Sequence, residues 1–289
     1  MIDTMQIRQL TIDDESLVAN MQTGIEDDYV VRVFERLVTH DNQRLYGLFS
    51  EGELASIAGY TVYQGQYGML GRLRSDQRFL GNGHATSIIQ YVINELEQLD
   101  HIKWIGANTQ LNNFAAKRVL EKLNLPQLEM LYPAVLTQPE QMPEANGDTW
   151  KELTTLEEKR RWIDPIKQDD SVIFPLESYY PFPASPALLT DDLLENWTFF
   201  ENDAQDRFVI VKHDQKKNQY AHVVYLWDDL FEQSGLMKTL YDTLNAFKQQ
   251  YGDDLNLRFD IPESTRQLIP NDEAFTFQDP WILHGYWKK

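Results

Sequence analysis

The sequence predicts an α/β (α+β) protein of two tandem domains, each with a mixed, mostly antiparallel sheet flanked by helices. Three observations lead to this prediction. Segments with strand-like alternation and segments with helical periodicity succeed one another along the chain. A glycine-bearing loop follows one strand and precedes an amphipathic helix. A similar order of segments then restarts after a stretch that is typical of a linker.

Composition limits the functions that fit this chain. Hydrophobic residues make up 42% of its 289 residues, which is enough for packed cores. It contains no cysteine, which excludes disulfides and thiolate metal sites, and we expect no metal. The net charge of −19 repels phosphate backbones and attracts cationic amines, so we expect no nucleic-acid partner.

The chain shows no membrane or export signal. No apolar run approaches the ~20 residues that span a bilayer, so we expect no membrane partner. Residues 1–4 contain neither the basic region nor the apolar core of a signal peptide. Because the chain also lacks cysteine, we expect a cytoplasmic protein.

The first half of the chain has a regular order of elements. Alternating apolar residues predict the strands, and the turn at residues 51–53 joins two of them. Asp13 is placed to cap the first helix. The predicted elements are a strand at 5–10, helices at 13–23 and 29–39, strands at 44–50, 54–64 and 69–74, a helix after residue 85, a strand at 102–107, a helix at 113–123 and a strand at 128–136.

The most informative motif is the run Arg-Phe-Leu-Gly-Asn-Gly-His-Ala at residues 78–85. It stands between a predicted strand and a predicted helix. Glycines there allow close approach of the backbone to a ligand and direct N–H groups outward. Because the helix dipole adds positive potential, a pyrophosphate is the expected occupant.

Other interpretations of this loop remain open at this point. A P-loop requires a lysine that the run lacks. A dinucleotide fingerprint requires a third small residue at Thr86 and an acid after the next strand, where Asn108 stands. A turn that binds nothing is the third interpretation.

The order of elements and two motifs together resemble the GNAT acyltransferase superfamily. Arg78-x-x-Gly81-x-Gly83 is similar to the family's Gln/Arg-x-x-Gly-x-Gly/Ala pyrophosphate loop. Residues 113–125, Asn-Phe-Ala-Ala-Lys-Arg-Val-Leu-Glu-Lys-Leu-Asn-Leu, are similar to the family's later segment, an asparagine, an alanine and then a Tyr-Glu-Lys-Leu-Gly-Phe-like ending. The resemblance covers roughly residues 5–136.

The resemblance implies that acetyl-CoA binds to the first domain. The loop N–H groups would hold the pyrophosphate, and the strand ending near Leu73 would diverge from the strand at 102–107 to pair with the pantetheine arm. His84 has two interpretations, a ring that pairs with a phosphate when protonated or a solvent-facing loop residue. The implied cofactor contacts are Leu73, Arg78, Leu80, Gly81, Asn82, Gly83, His84, Ala85 and Asn113.

The catalytic residues of the family match this chain less well. The tyrosine that protonates the thiolate in the family is replaced by Leu120. Tyr132 is our candidate for that role, with a core ring as the other interpretation. No carboxylate lies in the strand at 69–73, where many members keep their base. Glu26, Asp27 and Asp28 are candidates for binding the amine, with a solvated acidic turn as the alternative.

The second half is predicted to repeat the fold without the loop. Residues 139–149 contain two prolines and a glycine and are predicted to be a linker, so the expected domains are 1–138 and 150–289. Thr154 and Glu157 form an expected capping box. Between Trp227 and Leu236 the chain has one glycine and several acids that would repel a pyrophosphate. An unrelated α+β domain is the alternative.

These features predict an acetyl-CoA-dependent N-acetyltransferase that moves an acetyl group to a primary amine on a small molecule or peptide. The alternative is a CoA-binding module that regulates or scaffolds without catalysis. The intact loop agrees with both functions, and Leu120 favours the second.

Overall fold

The computed structural model describes residues 5–216 and 218–289 and divides the chain into two compact units. The first unit contains residues 1–128 and 283–289, and the second contains residues 129–282. Residues 1–4, which the sequence predicts not to be a signal peptide, lie outside the described residues. No described helix has both the length and the apolarity that crossing a membrane requires.

The described helices and strands follow one another along the chain. Up to residue 122 they are β1 Gln6–Gln9, α1 Glu15–Ala19, α2 Tyr29–Arg32, α3 Phe34–Thr39, β2 Gln43–Ser50, β3 Glu53–Tyr63, β4 Tyr67–Ser75, α4 His84–Glu97, β5 Trp104–Gln110 and α5 Phe114–Lys122. They continue with β6 Gln127–Leu136, β7 Lys151–Leu153, α6 Leu156–Ile166, β8 Ile173–Glu177, β9 Tyr180–Pro183, α7 Asp191–Asn196, β10 Thr198–Glu201, β11 Phe208–Gln215, β12 Gln219–Val224, α8 Leu236–Tyr251, β13 Asn256–Ile261, α9 Glu263–Arg266, β14 Phe275–Phe277 and β15 Trp281–Trp287.

The sheet of the first unit has the strand order β1-β2-β3-β4-β5-β15. β1 to β4 pair antiparallel, and β4 pairs parallel with β5. The helix α4 connects the two parallel strands and packs its apolar face, including Ile88, Val92 and Leu96, against the sheet. The turn between β2 and β3 has left-handed backbone at both Glu51 and Gly52, as a two-residue hairpin turn requires.

Two predicted helices of the first unit are shorter than expected. The helix predicted at 13–23 is a 3₁₀ turn at Ile12–Asp14 followed by α1. Asp13, the predicted cap, lies inside the 3₁₀ turn, and Asp14 is the N-cap residue of α1. The Asp14 side chain makes no capping hydrogen bond to α1, because its carboxylate accepts hydrogen bonds from Arg8 and from the Thr11 N–H. The helix predicted at 29–39 is interrupted at Val33, whose backbone leaves the helical region.

The second unit has the strand order β6-β13-β12-β11-β10-β7, and β14 also pairs with β6. β10, β11 and β12 are antiparallel, and β12 pairs parallel with β13. The helix α8 connects these two parallel strands, as α4 connects β4 and β5. The capping box of α6 is formed by Thr155 and Glu158, one residue later than predicted, because the helix begins at Leu156.

The bounds of the two units differ from the expected domains. The strand predicted to close the first domain is β6, which pairs with β13 from Tyr132↔Ile261 to Leu136↔Leu257 in the second unit. The C-terminal strand instead belongs to the first unit, where the Gly285 N–H donates to the Pro126 carbonyl at 3.0 Å. Residues 139–149, the predicted linker, lie inside the second unit. Pairing between strands that are distant in sequence decides which unit each strand belongs to. The local sequence pattern does not contain that information.

Candidate functional site

The two parallel strands of the first unit diverge towards their carboxyl ends. Their pairing runs from Tyr67↔Trp104 to Leu70↔Ala107. Residues 71–75 of β4 and 108–110 of β5 have no pairing with each other in the described structure. The split agrees with the divergence near Leu73 that the resemblance implies. Backbone groups at such a split are available to an extended ligand arm.

A bulge in β4 lies beside this split. The register between β3 and β4 passes from Gly59↔Gly71 to Ile57↔Arg74, which places one extra residue on β4. Arg72 adopts a left-handed φ of 58° there. Bulges of this kind bend a strand and redirect the residues that follow it. The Leu73 carbonyl accepts a hydrogen bond from Arg74 Nη1 at 2.9 Å. A carbonyl oxygen has two lone pairs, so the second one can accept a hydrogen bond from a ligand.

The glycines of the loop adopt the conformation that their residue type allows. Gly81 and Gly83 have φ values of 89° and 81°, in the left-handed region. A Cβ at either position would meet no atom within 4 Å, so the space in front of the loop is open. Gly83 caps α4, and the first N–H groups of a helix have no partner within the helix. The loop therefore presents N–H donors to open space.

His84 is the first residue of α4 and is 6% exposed. It is not the solvent-facing loop residue that was one of its two interpretations. Its Nδ1 is buried and has no hydrogen-bond partner among the described residues, and its ring lies 6.2 Å from that of Phe79. A buried polar atom without a partner is uncommon in a folded protein. The residue His84 also lines the adjoining cavity.

The loop is fastened at its base by Asp76, whose side chain is fully buried. Its carboxylate accepts hydrogen bonds at 3.0 Å from the Gln22 N–H, from the Arg78 N–H and from the Arg78 guanidinium. The hydrogen bonds from the Arg78 guanidinium lower the pKa of Asp76 to about 2, although burial acts in the opposite direction. The N–H groups of Gln22 and Arg78 lower this pKa further. Arg78 also pairs with Glu53 at 2.6 Å. Arg78 therefore holds the shape of the loop through ion pairs.

A cavity of about 530 Å³ lies between the loop and α5. This volume is in the range of small-molecule sites. It brings together the predicted residues Leu80, Gly81, Gly83, His84 and Ala85. Within the described chain, its lining does not include the other predicted contacts Leu73, Arg78, Asn82 and Asn113.

Sequence reasoning missed part of this lining. Phe114, Arg118 and Lys122 face the cavity from α5, and Ser75 reaches it from the end of β4. A signal was present, since positions 114, 118 and 122 follow at helical spacing after Asn113. Asn113 itself is the N-cap of α5, and its side chain accepts a hydrogen bond from the Ala116 N–H at 3.1 Å.

Leu120 lies on the other side of the same helix. It is 5% exposed and packs in the core of the first unit. An aliphatic side chain in a core has no proton to donate. The position of the family's tyrosine is therefore apolar in this protein.

The three candidate amine-binding acids differ in their contacts. Asp28 forms a bidentate ion pair with Arg74, at 2.6 and 2.8 Å. Burial raises the pKa of Asp28, but the hydrogen bonds from Arg74 and from the Val30 N–H outweigh it and lower the pKa overall. Asp27 is ion-paired with Arg32. Glu26 is exposed and forms no ion pair with any described residue.

Tyr132 lies in β6 of the second unit, opposite Ile261. It packs against the core of that unit. A hydrogen bond to Glu263, together with burial, raises the pKa of its hydroxyl. A raised pKa keeps the hydroxyl protonated at neutral pH, as a proton donor requires. Its catalytic role stays a prediction.

The start of α8 in the second unit is covered by its own chain. The Gly235 N–H donates to the Asn146 carbonyl at 2.7 Å, and Trp150 Nε1 donates to the Ser234 carbonyl at 2.9 Å. The Trp150 N–H also donates to Thr239 Oγ1 at 2.8 Å. Residues 146–150 thus lie over this helix start, and we name them the covering segment.

Residues 6–125 match the model of the acetyltransferase (GNAT) family. This stretch contains the split strands, the glycine loop and α5. The similarity to the GNAT family of acetyltransferases thus covers 120 of the 289 residues, all of them in the first unit.

Solved structures resemble the whole chain. A GCN5-related N-acetyltransferase from Sphaerobacter thermophilus is 13% identical, with a TM-score of 0.59 over 98% of this chain and 95% of that one. Proteins provisionally assigned as acetyltransferases from Pyrococcus horikoshii and Thermoplasma acidophilum are 12% and 15% identical, with TM-scores of 0.54 and 0.52. The alignments cover 99% and 96% of this chain, and 90% and 91% of theirs.

Such low identities show the fold alone. Because the alignments extend over nearly the whole chain, they confirm the predicted fold of two tandem GNAT-like domains. No curated protein matches the sequence.

Proposed function

We propose that this protein is an acetyl-CoA-dependent N-acetyltransferase that moves an acetyl group to a primary amine by direct attack. One observation carries the proposal. The glycine loop, the start of α4 and the residue His84 all line one cavity, which reaches the end of the split strand at Ser75. This arrangement suits a pyrophosphate that continues into an extended thioester arm.

The residues of the first unit would divide the work of binding. The N–H groups at residues 81–85 would donate to the pyrophosphate, and the backbone beyond the β4 bulge would pair with the amide arm. Fixing the thioester beside a bound amine supplies proximity and orientation, which account for much of the acceleration in such transfers. A C–N bond forms, the C–S bond breaks and the thiolate leaves, while the attacking nitrogen gives up a proton to water or another base.

Proton transfer is the weaker part of this site. Leu120 donates no proton, so the thiolate is protonated by another group or by water. A thiol has a pKa near ~8.5, so it leaves without much help at neutral to mildly basic pH. Since a general acid typically contributes about 10²–10⁴-fold, we expect slow but real acetylation. Glu26 is the acid of the 26–28 group that remains available for a cationic acceptor.

A non-catalytic CoA-binding module is the second candidate, and buried Leu120 is the observation that favours it. The test is release of free thiol from acetyl-CoA in the presence of polyamines, amino acids, aminoglycosides and peptide N-termini. We expect at least one amine to be acetylated. Binding of CoA without acetylation of any amine would establish the second candidate instead.

The loop assignment is tested by Gly83→Glu with Gly65→Glu as its control. Both glycines have left-handed φ, 81° and 67°, and open space beside them, but Gly65 lies in the turn between β3 and β4. We expect Gly83→Glu to abolish CoA binding in calorimetry through charge and steric exclusion, and Gly65→Glu to bind like wild type. Unchanged affinity in Gly83→Glu would contradict the proposal.

A further inference from the structure

The bulge of β4 holds an arginine in a strained backbone conformation. Arg72 has a left-handed φ of 58°, which is uncommon for a residue with a long side chain and costs free energy. It follows Leu70, the last residue of β4 that pairs with β5, so it lies beside the strand split. Residues held in such conformations are concentrated at functional sites. The surroundings of the Arg72 side chain therefore bear on function.

The Arg72 side chain lies on the face of the sheet that α2 and α3 cover. Its Nη2 donates to Gln43 Oε1 at 3.1 Å. Gln43 shares a face of β2 with Leu45, which packs in one core with Val30 of α2 and Phe34 of α3. The helices α4 and α5 pack on the other face of the sheet and line the cavity of the glycine loop. Arg72 is therefore across the sheet from the cavity proposed for the acyl carrier.

The charge of Arg72 is not neutralised within the described chain. Of residues 5–216 and 218–289, none places a carboxylate within ion-pair distance of its guanidinium. By contrast, Arg74 on the same face forms a bidentate ion pair with Asp28. Arg72 is half-buried, so water solvates its charge less completely than at an open surface. Gln43 accepts from one of its five N–H donors, and others remain available to an anion.

Open space adjoins Arg72 on this face of the sheet. Gly71 pairs with Gly59 of β3, which shares a strand face with Ile57 of the α2–α3 core. A side chain at position 71 would therefore point to the same face. A Cβ built at Gly71 would meet no atom within 4 Å beyond its two chain neighbours. The strand edge beside Arg72 thus has room for a ligand group.

We propose that Arg72 binds a carboxylate of the acceptor, which is then an amine with a carboxylate close by, as in a free amino acid. This inference rests on the proposed function and names the class of acceptor. A carrier that enters the split from the α4 side leaves the opposite face, with Arg72 and the space at Gly71, to the acceptor. A single guanidinium matches the charge and the planar shape of a carboxylate through two parallel N–H···O bonds.

The experiment measures kcat/KM for matched pairs of acceptors, each an amino acid and the amine that lacks its carboxylate. Such pairs include arginine with agmatine, tyrosine with tyramine and leucine with isoamylamine. We expect wild type to prefer the amino acid of at least one pair by about tenfold to a hundredfold. Arg72→Gln should abolish this preference by raising KM for the amino acid, and kcat/KM for the amine should stay unchanged.

Two further variants separate binding from folding. Arg36→Gln removes the same charge from an exposed position of α3 and should keep the preference. Arg72→Gly should fold, because glycine adopts the left-handed backbone without strain, and it should lose the preference as Arg72→Gln does. Cooperative unfolding of Arg72→Gly checks its fold. Retention of the preference in a folded Arg72→Gly would overturn the inference.

Affinity for CoA distinguishes the acceptor from the carrier as the partner of Arg72. We expect Arg72→Gln to bind CoA like wild type in calorimetry, and weaker binding would show that Arg72 contacts the carrier instead. Wild type that acetylates amines without preferring any amino acid, or an equal loss of preference in Arg36→Gln, also overturns the inference and leaves the proposed function intact. Wild type that binds CoA and acetylates no amine overturns both.

Discussion

The helices α4 and α8 begin in the same way and lead to different environments. Each connects a pair of parallel strands, and each is capped by a glycine in the left-handed region, with φ of 81° at Gly83 and 78° at Gly235. In front of Gly83 there is open space, but a Cβ at Gly235 would collide with the carbonyl of Asp148. The same backbone conformation therefore faces open space in one unit and packs against other residues in the other.

The comparison also adds a second reason to expect no pyrophosphate at the loop before α8. The sequence suggests repulsion by the acids that precede α8. In the structure, Asp229 pairs with Arg207 at 3.0 Å, and Asp228 accepts hydrogen bonds from Ser264 and Thr265. These two acids have partners of their own, whereas no ion pair is seen for Glu232 among the described residues. The covering segment, which packs against Gly235 and accepts a hydrogen bond from its N–H, provides the more direct obstacle.

The largest expected effect is in binding stoichiometry. Because α4 begins at an open loop and α8 at a covered one, we expect one CoA per chain in calorimetry of the full-length protein. The variant Gly83→Glu should bind none, since no second site takes over. A stoichiometry of two, or residual binding in Gly83→Glu that requires an intact Gly235, would show that the covering segment does not exclude the ligand.

The next effect is on stability, and it is expected to be unequal. Gly83→Ala should destabilise the protein by about 1–2 kcal/mol, because it places a Cβ in the left-handed region with room around it. Gly235→Ala adds a collision with the covering segment, so we expect about 3 kcal/mol or more. Denaturant titration of both variants measures the difference. Equal losses of unfolding free energy in the two variants would mean that the covering segment moves aside without strain.

The last expected effect concerns the base of the open loop. Asp76→Asn removes the ion pair with Arg78, and we expect a loss of about 1–3 kcal/mol at neutral pH. The native pKa of Asp76 is about 2, below its ordinary value of 3.8. Its contribution is therefore complete above pH 3.8 and is lost as the pH falls through about 2, because the unfolded state takes up the proton first.

The measurement for Asp76 is the difference in unfolding free energy between wild type and Asp76→Asn as a function of pH. This difference in unfolding free energy should become smaller as the pH falls from 3.8 to about 2. Asp13→Asn, at an exposed position, is the control and should leave stability nearly unchanged. A difference for Asp76→Asn that is constant with pH would show that the carboxylate charge does not hold the loop.

Much of the first unit was predictable from local sequence. The glycines at 81 and 83 are needed where the backbone is left-handed, and the 3.6-residue spacing of Ile88, Val92 and Leu96 defines the buried face of α4. These features depend on conformational preferences and periodicity within a few residues. For that reason the sequence by itself determined the order of elements, the loop and the family resemblance.

Other features were decided only by the tertiary structure. Nothing local distinguishes residues 128–136 from 281–287 as the strand that joins the first sheet, since both are apolar and strand-like. The ion pair of Asp28 with Arg74, the burial of His84 and the covering of Gly235 by residues 146–150 likewise join segments that are distant in sequence. Each depends on which surfaces meet when the chain is packed, and a residue's pattern with its neighbours does not contain that information.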